Sequence, residues 1–301
     1  MSFNVDRQQW FTRDSDAGLS MREPIEEAMG SSFKILGSGA GPGVPSFFCD
    51  CSGCREARAN SRYCRTRSGA LLRSGNANYL IDTSPDLRAQ LVRENLEGID
   101  GIFLTHWHFD HFGGLGEMEY YVKLDRKEPI PLYLPPSAVD SFHAAFPYLH
   151  DVLVPQPWEF GKTYKRGDVG ITALPANHGI ETAGFLIESD VSRLAYFPDT
   201  SGLPDVTKRQ VEAIDCLICD ATFSDSNWFP DSHMSIAEAI ELGKSIGAKN
   251  TVLTHLAIHY GNPVTVEELN GRLSDLPNVF LAHDGMQFNL LRGADEDFTR
   301  K

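Results

Sequence analysis

The chain has 301 residues, enough for one large domain or two average ones, and its 42% hydrophobic and 23% charged residues can bury a sizeable core. That balance excludes an intrinsically disordered protein. A formal charge of −14 repels phosphate backbones, so no broad nucleic-acid surface is expected, although a local pocket can still take phosphate.

In chain order, residues 1–31 read as an N-terminal extension, with Ser20-x-x-Glu23 resembling a capping box and Gly30 ending a short helix. This segment holds no apolar run of signal-peptide length, and no stretch reaches the roughly 18 apolar residues of a membrane span, so no membrane partner is expected. From Ser32 onward, short apolar runs bounded by turn residues predict strands. They are Phe33–Leu36, Ala70–Leu72, Tyr79–Ile81, Gly101–Leu104, Leu132–Leu134, Ile171–Leu174, Gly184–Ile187, Arg193–Phe197, Cys216–Ile218, Thr251–Leu253 and Val279–Ala282. Helices are predicted over Asp86–Asn95, from the capping box Ser235–Glu238 to Gly247, and over Val264–Leu273. With no linker or repeat between them, these elements predict one layered α/β domain over 32–292, then a polar tail over 293–301. Three of the six cysteines fall within Cys49–Cys54, which suits metal binding better than a secreted disulfide framework, and a cytoplasmic location is expected.

The segment Thr105-His106-Trp107-His108-Phe109-Asp110-His111 directly follows a predicted strand. Residues i and i+2 of an extended chain share a side, so His106 and His108 can converge on one cation. As the chain turns at Gly113 and Gly114, Asp110 and His111 can face a second. Imidazole and carboxylate together suit Zn, Mn and Fe. His178, Asp199 and His255 also follow predicted strands, where functional groups emerge from a rigid scaffold.

This order, H-x-H-x-D-H followed by His, Asp and His, resembles the metallo-β-lactamase superfamily of binuclear hydrolases over about residues 32–290. Four features resemble the branch containing the phosphoribosyl cyclic phosphodiesterase of phosphonate breakdown. They are Leu36-Gly-Ser-Gly-Ala-Gly-Pro-Gly-Val-Pro45, Cys49-x-Cys51-x-x-Cys54, Pro198-Asp-Thr-Ser-Gly-Leu-Pro204 and Asp284-Gly285-Met286. The segment Thr83–Gln90 is also similar to the metallo-β-lactamase-fold protein of pyrroloquinoline quinone biosynthesis, which departs from the full histidine motif.

The resemblance implies an αββα sandwich with a binuclear metal site at one edge of the two sheets. It implies that His106, His108 and His178 hold one divalent cation and Asp110, His111 and His255 the second, with Asp199 bridging them. Two such cations, about 3.5–4 Å apart, lower the pKa of a shared water and clamp the attacked phosphoryl group. Asp110 is thereby counted with the catalytic groups. His233, in the loop before the capped helix, is the expected proton donor, because histidine titrates near neutral pH and the branch has a histidine at a comparable place. Thr200 and Ser201, beside Asp199, are expected to contact phosphate oxygens.

Cys49, Cys51 and Cys54 supply three thiolates for a closed tetrahedral, structural zinc site. By the resemblance His259 is the fourth ligand, although His255-x-x-x-His259 is one residue longer than the family spacing, and Cys64 is the alternative. Cys216-x-x-Cys219 lies in an apolar run where i and i+3 face opposite sides, and reads as two buried small residues. Gly37–Gly43 fits neither G-x-G-x-x-G nor the P-loop pattern and reads as a tight turn.

The expected function is hydrolysis of a phosphodiester by a metal-activated hydroxide. The expected partner is a small anionic substrate, cyclic or nucleotide-like, with Zn or Mn at the active site and a possible homodimer. The same ligands would also serve a tRNA-processing endonuclease, for which no Lys/Arg- and Gly-rich arm is present, or a thioester or lactam hydrolase. A non-catalytic accessory protein of cofactor biosynthesis is the alternative outside the hydrolases.

Overall fold

Period-two alternation of apolar side chains settles into paired strands. A computed structural model of the chain describes residues 30–291; the Ser20–Glu23 capping pattern and the tail from Gly293 lie outside the described residues. The strands are β1 (Ser32–Gly37), β2 (Gly69–Ser74), β3 (Ala77–Ile81), β4 (Gly101–Phe103), β5 (Ile130–Leu134), β6 (Leu153–Pro157) and β7 (Thr163–Arg166). They continue with β8 (Val169–Pro175), β9 (Ala183–Glu188), β10 (Arg193–Phe197), β11 (Cys216–Asp220), β12 (Asn250–Thr254), β13 (Val279–Leu281) and β14 (Gln287–Asn289). Every predicted strand coincides with one of these; β6, β7 and β14 were not predicted.

The strands form two seven-stranded sheets, ordered β14-β1-β2-β3-β4-β5-β6 and β13-β12-β11-β10-β9-β8-β7. Both follow one plan. In the first sheet, pairing is antiparallel from β14 through β3 and parallel from β3 through β6. In the second, it is antiparallel from β7 through β10 and parallel from β10 through β13. A parallel strand needs a long crossover, and that requirement places helices on the outer faces.

Alternate residues divide the core into three layers. Ala70, Leu72, Ile81 and Phe103 of the first sheet meet Ile171, Phe185, Tyr196 and Ile218 of the second between the sheets. Their neighbours Leu71, Leu80, Ile102 and Leu104 turn outward under the helices of the first sheet. Leu217, Cys219 and Leu253 do the same on the second, against Ala239, Leu242 and Leu269. Each fully buried large apolar side chain contributes about 1.5–3 kcal/mol, and a one-residue slip would expose a whole face, so the register is firmly held. Cys216 and Cys219 are both buried, on opposite faces of β11, and burial pushes both thiols up in pKa.

The predicted helices appear as Leu87–Arg93, Ile236–Ser245 and Val266–Arg272. Ser235 caps the second with its side chain, accepting from Glu238 N, while Glu238 Oε2 accepts from Ser235 N at 2.7 Å. A second capping box, Thr265 with Glu268, sets the start of the third at Val266 rather than Val264. Helices at Ser52–Ala59, Phe109–Phe112, Val139–Ala145 and Asp205–Gln210 were not predicted.

Candidate metal centre

The centre lies where the parallel strands of both sheets end. Leu104, at the exit of β4, is pinned by the buried Trp158, whose Nε1 donates to its carbonyl at 2.8 Å. The chain then turns through Thr105 into the short helix Phe109–Phe112, which carries Asp110 and His111. From the second sheet come His178 beyond β8, Asp199 beyond β10 and His255 beyond β12.

These residues gather in two sets. Ligand atoms of His106, His108, His178 and Asp199 lie within 4.8 Å of one another, as do those of Asp110, His111 and His255. In the first set, His108 Nδ1 is 2.9 Å from His106 Nε2 and 3.1 Å from His178 Nε2. Asp199 Oδ2 stands between the sets, 3.3 Å from His106 Nε2, 3.4 Å from His111 Nε2 and 3.8 Å from His255 Nε2. Asp110 Oδ2 is 3.7 Å from His111 Nε2 and 3.6 Å from His255 Nε2.

The donor set fits cations, and the far side of each ring says why. His111 Nδ1 is 2.7 Å from Asp82 Oδ2, His255 Nδ1 is 2.8 Å from Thr222 Oγ1, and His178 Nδ1 is 2.8 Å from the carbonyl of Ser232. His106 Nδ1 meets Thr105 Oγ1 at 2.9 Å. An imidazole anchored through one nitrogen presents the lone pair of the other, the usual support of a metal-bound histidine. His111 Nε2 and His255 Nε2 are buried with no hydrogen-bond partner among the described residues, a costly state for a polar atom unless a cation meets it.

Asp82 is the hub of this support. It adopts φ 63°, a left-handed conformation that costs an aspartate about 1 kcal/mol, and it is fully buried. Its carboxylate accepts from Thr105 N at 2.8 Å and Thr105 Oγ1 at 2.9 Å besides holding His111. Burial opposes protonation of His111, yet Asp82 and Asp110 raise its pKa well above the ordinary histidine value. Burial, then the neighbouring His111, pushes His106 down to about 3. Burial would raise the carboxyls of Asp110 and Asp199, but the surrounding histidines hold both below the usual range.

His233 sits at the rim, one-fifth exposed. Its Nδ1 is 2.9 Å from Asp220 Oδ2 and 2.8 Å from Asp199 Oδ1. Burial opposes its protonation, and these two carboxylates override that, raising its pKa to about 10. The two carboxylates thus favour the charged imidazole, and both contacts are made through Nδ1. That cavity, about 230 Å³, is lined by His108, Asp110, Asp199, His233 and His255 and by Phe223, Phe229 and Tyr260.

Thr200 and Ser201 do not contribute as expected. Thr200 is fully buried and its hydroxyl donates to the carbonyls of Asn177 and Gly202, while Ser201 Oγ donates to Asn177 at 3.3 Å. Both hold the loop after Asp199, and neither lines the cavity. Asp82, Asp220 and Thr222 were missed from sequence, although Asp82 and Asp220 stand at a strand end like Asp199.

Cys49, Cys51 and Cys54 form a separate cluster, with sulfurs within 4.8 Å of one another. Cys51 caps the helix Ser52–Ala59, and Arg58 ties the loop through the carbonyls of Ser46 at 2.8 Å and Cys49 at 2.6 Å. His259 Nδ1 lies 3.8 Å from Cys54 Sγ, whereas the Cys64 thiol donates to Ala57 O at 3.4 Å. His259 therefore stands next to Cys54, while the group whose ligand atoms all lie within 4.8 Å of one another comprises the three cysteines. Burial raises the Cys54 thiol to about 12, whereas the backbone N–H of Cys51 leads the groups that lower Cys49.

Two mixed sheets delivering histidines and aspartates to one shared edge define an αββα metal-binding fold of the hydrolase type. The chain belongs to the metallo-β-lactamase superfamily: residues 77–256 match the β-lactamase superfamily domain. A diphosphatase of the PhnP family is 26% identical, with a TM-score of 0.75 over 86% of this chain and 97% of that one. Zinc-bound PqqB from Methylobacterium extorquens, also 26% identical, gives 0.72 over 85% and 99%. An octanoyltransferase of Porphyromonas gingivalis is 26% identical over 268 residues, covering 84% of this chain, which spans only 50% of that protein's length. Among the described residues no helix is long and apolar enough to cross a membrane.

Proposed function

We propose that the chain hydrolyses a small phosphodiester, cyclic or nucleotide-like, at a site holding two divalent cations, Zn or Mn. The observation that carries this reading is the gathering of the seven histidine and aspartate side chains at one cavity, with His233 held by Asp220 at its rim. His106, His108 and His178 would hold one ion and Asp110, His111 and His255 the other, with Asp199 Oδ2 between them. When bound, such ions lower the pKa of water and neutralise charge on phosphoryl oxygens.

The residues of the chain do the rest. His233 Nε2 donates its proton to the departing sugar oxygen, which leaves poorly as an anion. A water oxygen forms the new bond to phosphorus as the bond from phosphorus to the leaving oxygen breaks. The proton released by that water restores His233 through solvent, and the products are a phosphomonoester and an alcohol. Asp220 and Asp199 hold the imidazole through Nδ1 and favour its charged form. A structural zinc on Cys49, Cys51, Cys54 and His259 would fix the loop that leads into Gly41 and Pro42 at the cavity.

The PhnP-family diphosphatase supports phosphate chemistry, and PqqB supports a zinc-binding fold. The test is turnover by metal-reconstituted protein on bis(p-nitrophenyl) phosphate, 2′,3′-cyclic nucleotides, a ribosyl cyclic phosphate, a thioester and pre-tRNA. Hydrolysis of the small diesters is expected. Rapid thioester cleavage without diester turnover, under Mn or Zn, overturns the reading.

A further inference from the structure

The mouth of the cavity is built from aromatic rings that metal binding leaves unexplained. Phe223 is buried at the centre of this group. Phe229 lies at 6.3 Å and 29° from it, Tyr260 at 6.3 Å and 35°, and Trp228 at 5.9 Å and 36°. Each of the three rings is thus tilted by about a third of a right angle from Phe223. Phe229 is 61% exposed and Trp228 51%, though an isolated apolar ring gains nothing from standing in water. Contiguous exposed apolar surface beside polar groups is the kind of surface that marks a ligand-binding groove. The backbone is adapted to it as well. Gly261 has φ +62°, and a Cβ there would come within 2.9 Å of Trp228 Cζ2, so glycine admits the indole.

Phe229 is also tied to the proton donor. Its carbonyl accepts from His233 N at 2.9 Å, so the backbone that carries the exposed ring is fixed to the backbone that carries the imidazole. Phe229, Tyr260 and His233 line the same cavity. Among the described residues no lysine or arginine lines the cavity. Beyond the single charge of a diester, additional affinity has to come from apolar contact rather than from ion pairing with further phosphates.

We infer that Phe229 and Tyr260, backed by Phe223, form a stacking subsite, and that the substrate carries a planar aromatic ring, such as a nucleobase, on the alcohol that departs past His233. This rests on the phosphodiesterase reading and narrows it. Sequence-tolerant base stacking on aromatic side chains is worth about tenfold or more in affinity per base.

The test compares adenosine 2′,3′-cyclic phosphate with the 2′,3′-cyclic phosphate of methyl riboside, which share the reacting phosphate and leaving oxygens and differ in the base. With metal-loaded full-length protein, kcat/KM is expected to favour the adenosine compound at least tenfold, mainly through KM. Phe229→Ala and Tyr260→Ala should each erase most of that preference at unchanged metal content, and Phe229→Tyr should keep it. Equal kcat/KM for the two compounds, or a preference that survives both alanine variants, overturns the subsite and leaves the phosphodiesterase reading standing. Failure to turn over any diester, bis(p-nitrophenyl) phosphate included, overturns that reading and the subsite with it.

Discussion

Asp220 Oδ2 lies 2.9 Å from His233 Nδ1, at the end of β11, where the aspartate is fully buried. Its other oxygen is already filled by the backbone N–H groups of Thr222 at 2.9 Å and Met234 at 3.1 Å. The carboxylate is therefore held fast and in turn fixes which nitrogen of His233 points outward.

Two variants separate the roles of this pair. His233→Ala should lower kcat by about 10²–10⁴-fold, the range for a lost general acid, with metal content unchanged by elemental analysis. Asp220→Asn removes one of the two charges that raise the His233 pKa to about 10. The acid form is the active one, so the alkaline limb of the pH–rate profile should move to lower pH. An unmoved limb would separate Asp220 from the titration of His233.

The cysteine cluster should behave as a site of its own. About three metals per chain are expected in the reconstituted protein, two at the histidine centre and one on the thiolates. Cys54→Ser should remove about one, and His178→Ala should instead deplete the histidine centre. Loss of all metal from Cys54→Ser would show the two sites to be a single unit.

Close packing makes a stability prediction at Gly184. A Cβ at this position in β9 would overlap the ring of Phe197, which is fully buried in β10. Gly184→Ala should destabilise by about 1–3 kcal/mol, the usual cost of overpacking. Urea unfolding monitored by tryptophan fluorescence measures it, with a lowered midpoint and unchanged slope as the expected outcome.

Glu94 supplies an acid-sensitive tie between β1 and the helix Leu87–Arg93. Lys34 Nζ meets its Oε2 at 2.7 Å and Arg93 Nε its Oε1 at 2.9 Å. Burial works against the carboxylate, but these two cations hold its pKa below the ordinary value of 4.5. A depressed folded-state pKa stabilises above the unfolded value, and that stability is lost as pH falls through the folded one. Glu94→Gln should therefore be less stable than the parent at pH 7, with the gap shrinking below about pH 4.5; a gap constant with pH would refute the tie.

The sequence alone made the layered architecture legible wherever strands are buried. The three strands it did not reveal, β6, β7 and β14, all stand at sheet edges. β6 carries Pro155 and Pro157, and β7 reads Thr-Tyr-Lys-Arg, because an edge strand has little apolar surface to bury and tolerates proline. The ligand histidines were legible because they crowd into one motif. Asp82 and Asp220 support them from isolated positions, which no spacing rule singles out. Thr200 shows the converse limit: placement beside Asp199 is readable, but the direction of its hydroxyl is set by Asn177 and Gly202. Phe229 and Tyr260 are 31 positions apart in sequence and become neighbours of one cavity only through the fold.

The shared plan of the two sheets carries a mechanical consequence. His106, His108, Asp110 and His111 leave the first sheet, while His178, Asp199 and His255 leave the second, so each set draws donors from both layers. A cation in either set would act as a rivet across the seam of the sandwich, reinforcing halves that at this edge are also joined by side-chain packing and by backbone hydrogen bonds such as Ala183 N to Thr105 O and Leu256 N to Ser38 O. Chelation should then lower the melting temperature along with turnover, and the two losses should rise together as metal is withdrawn.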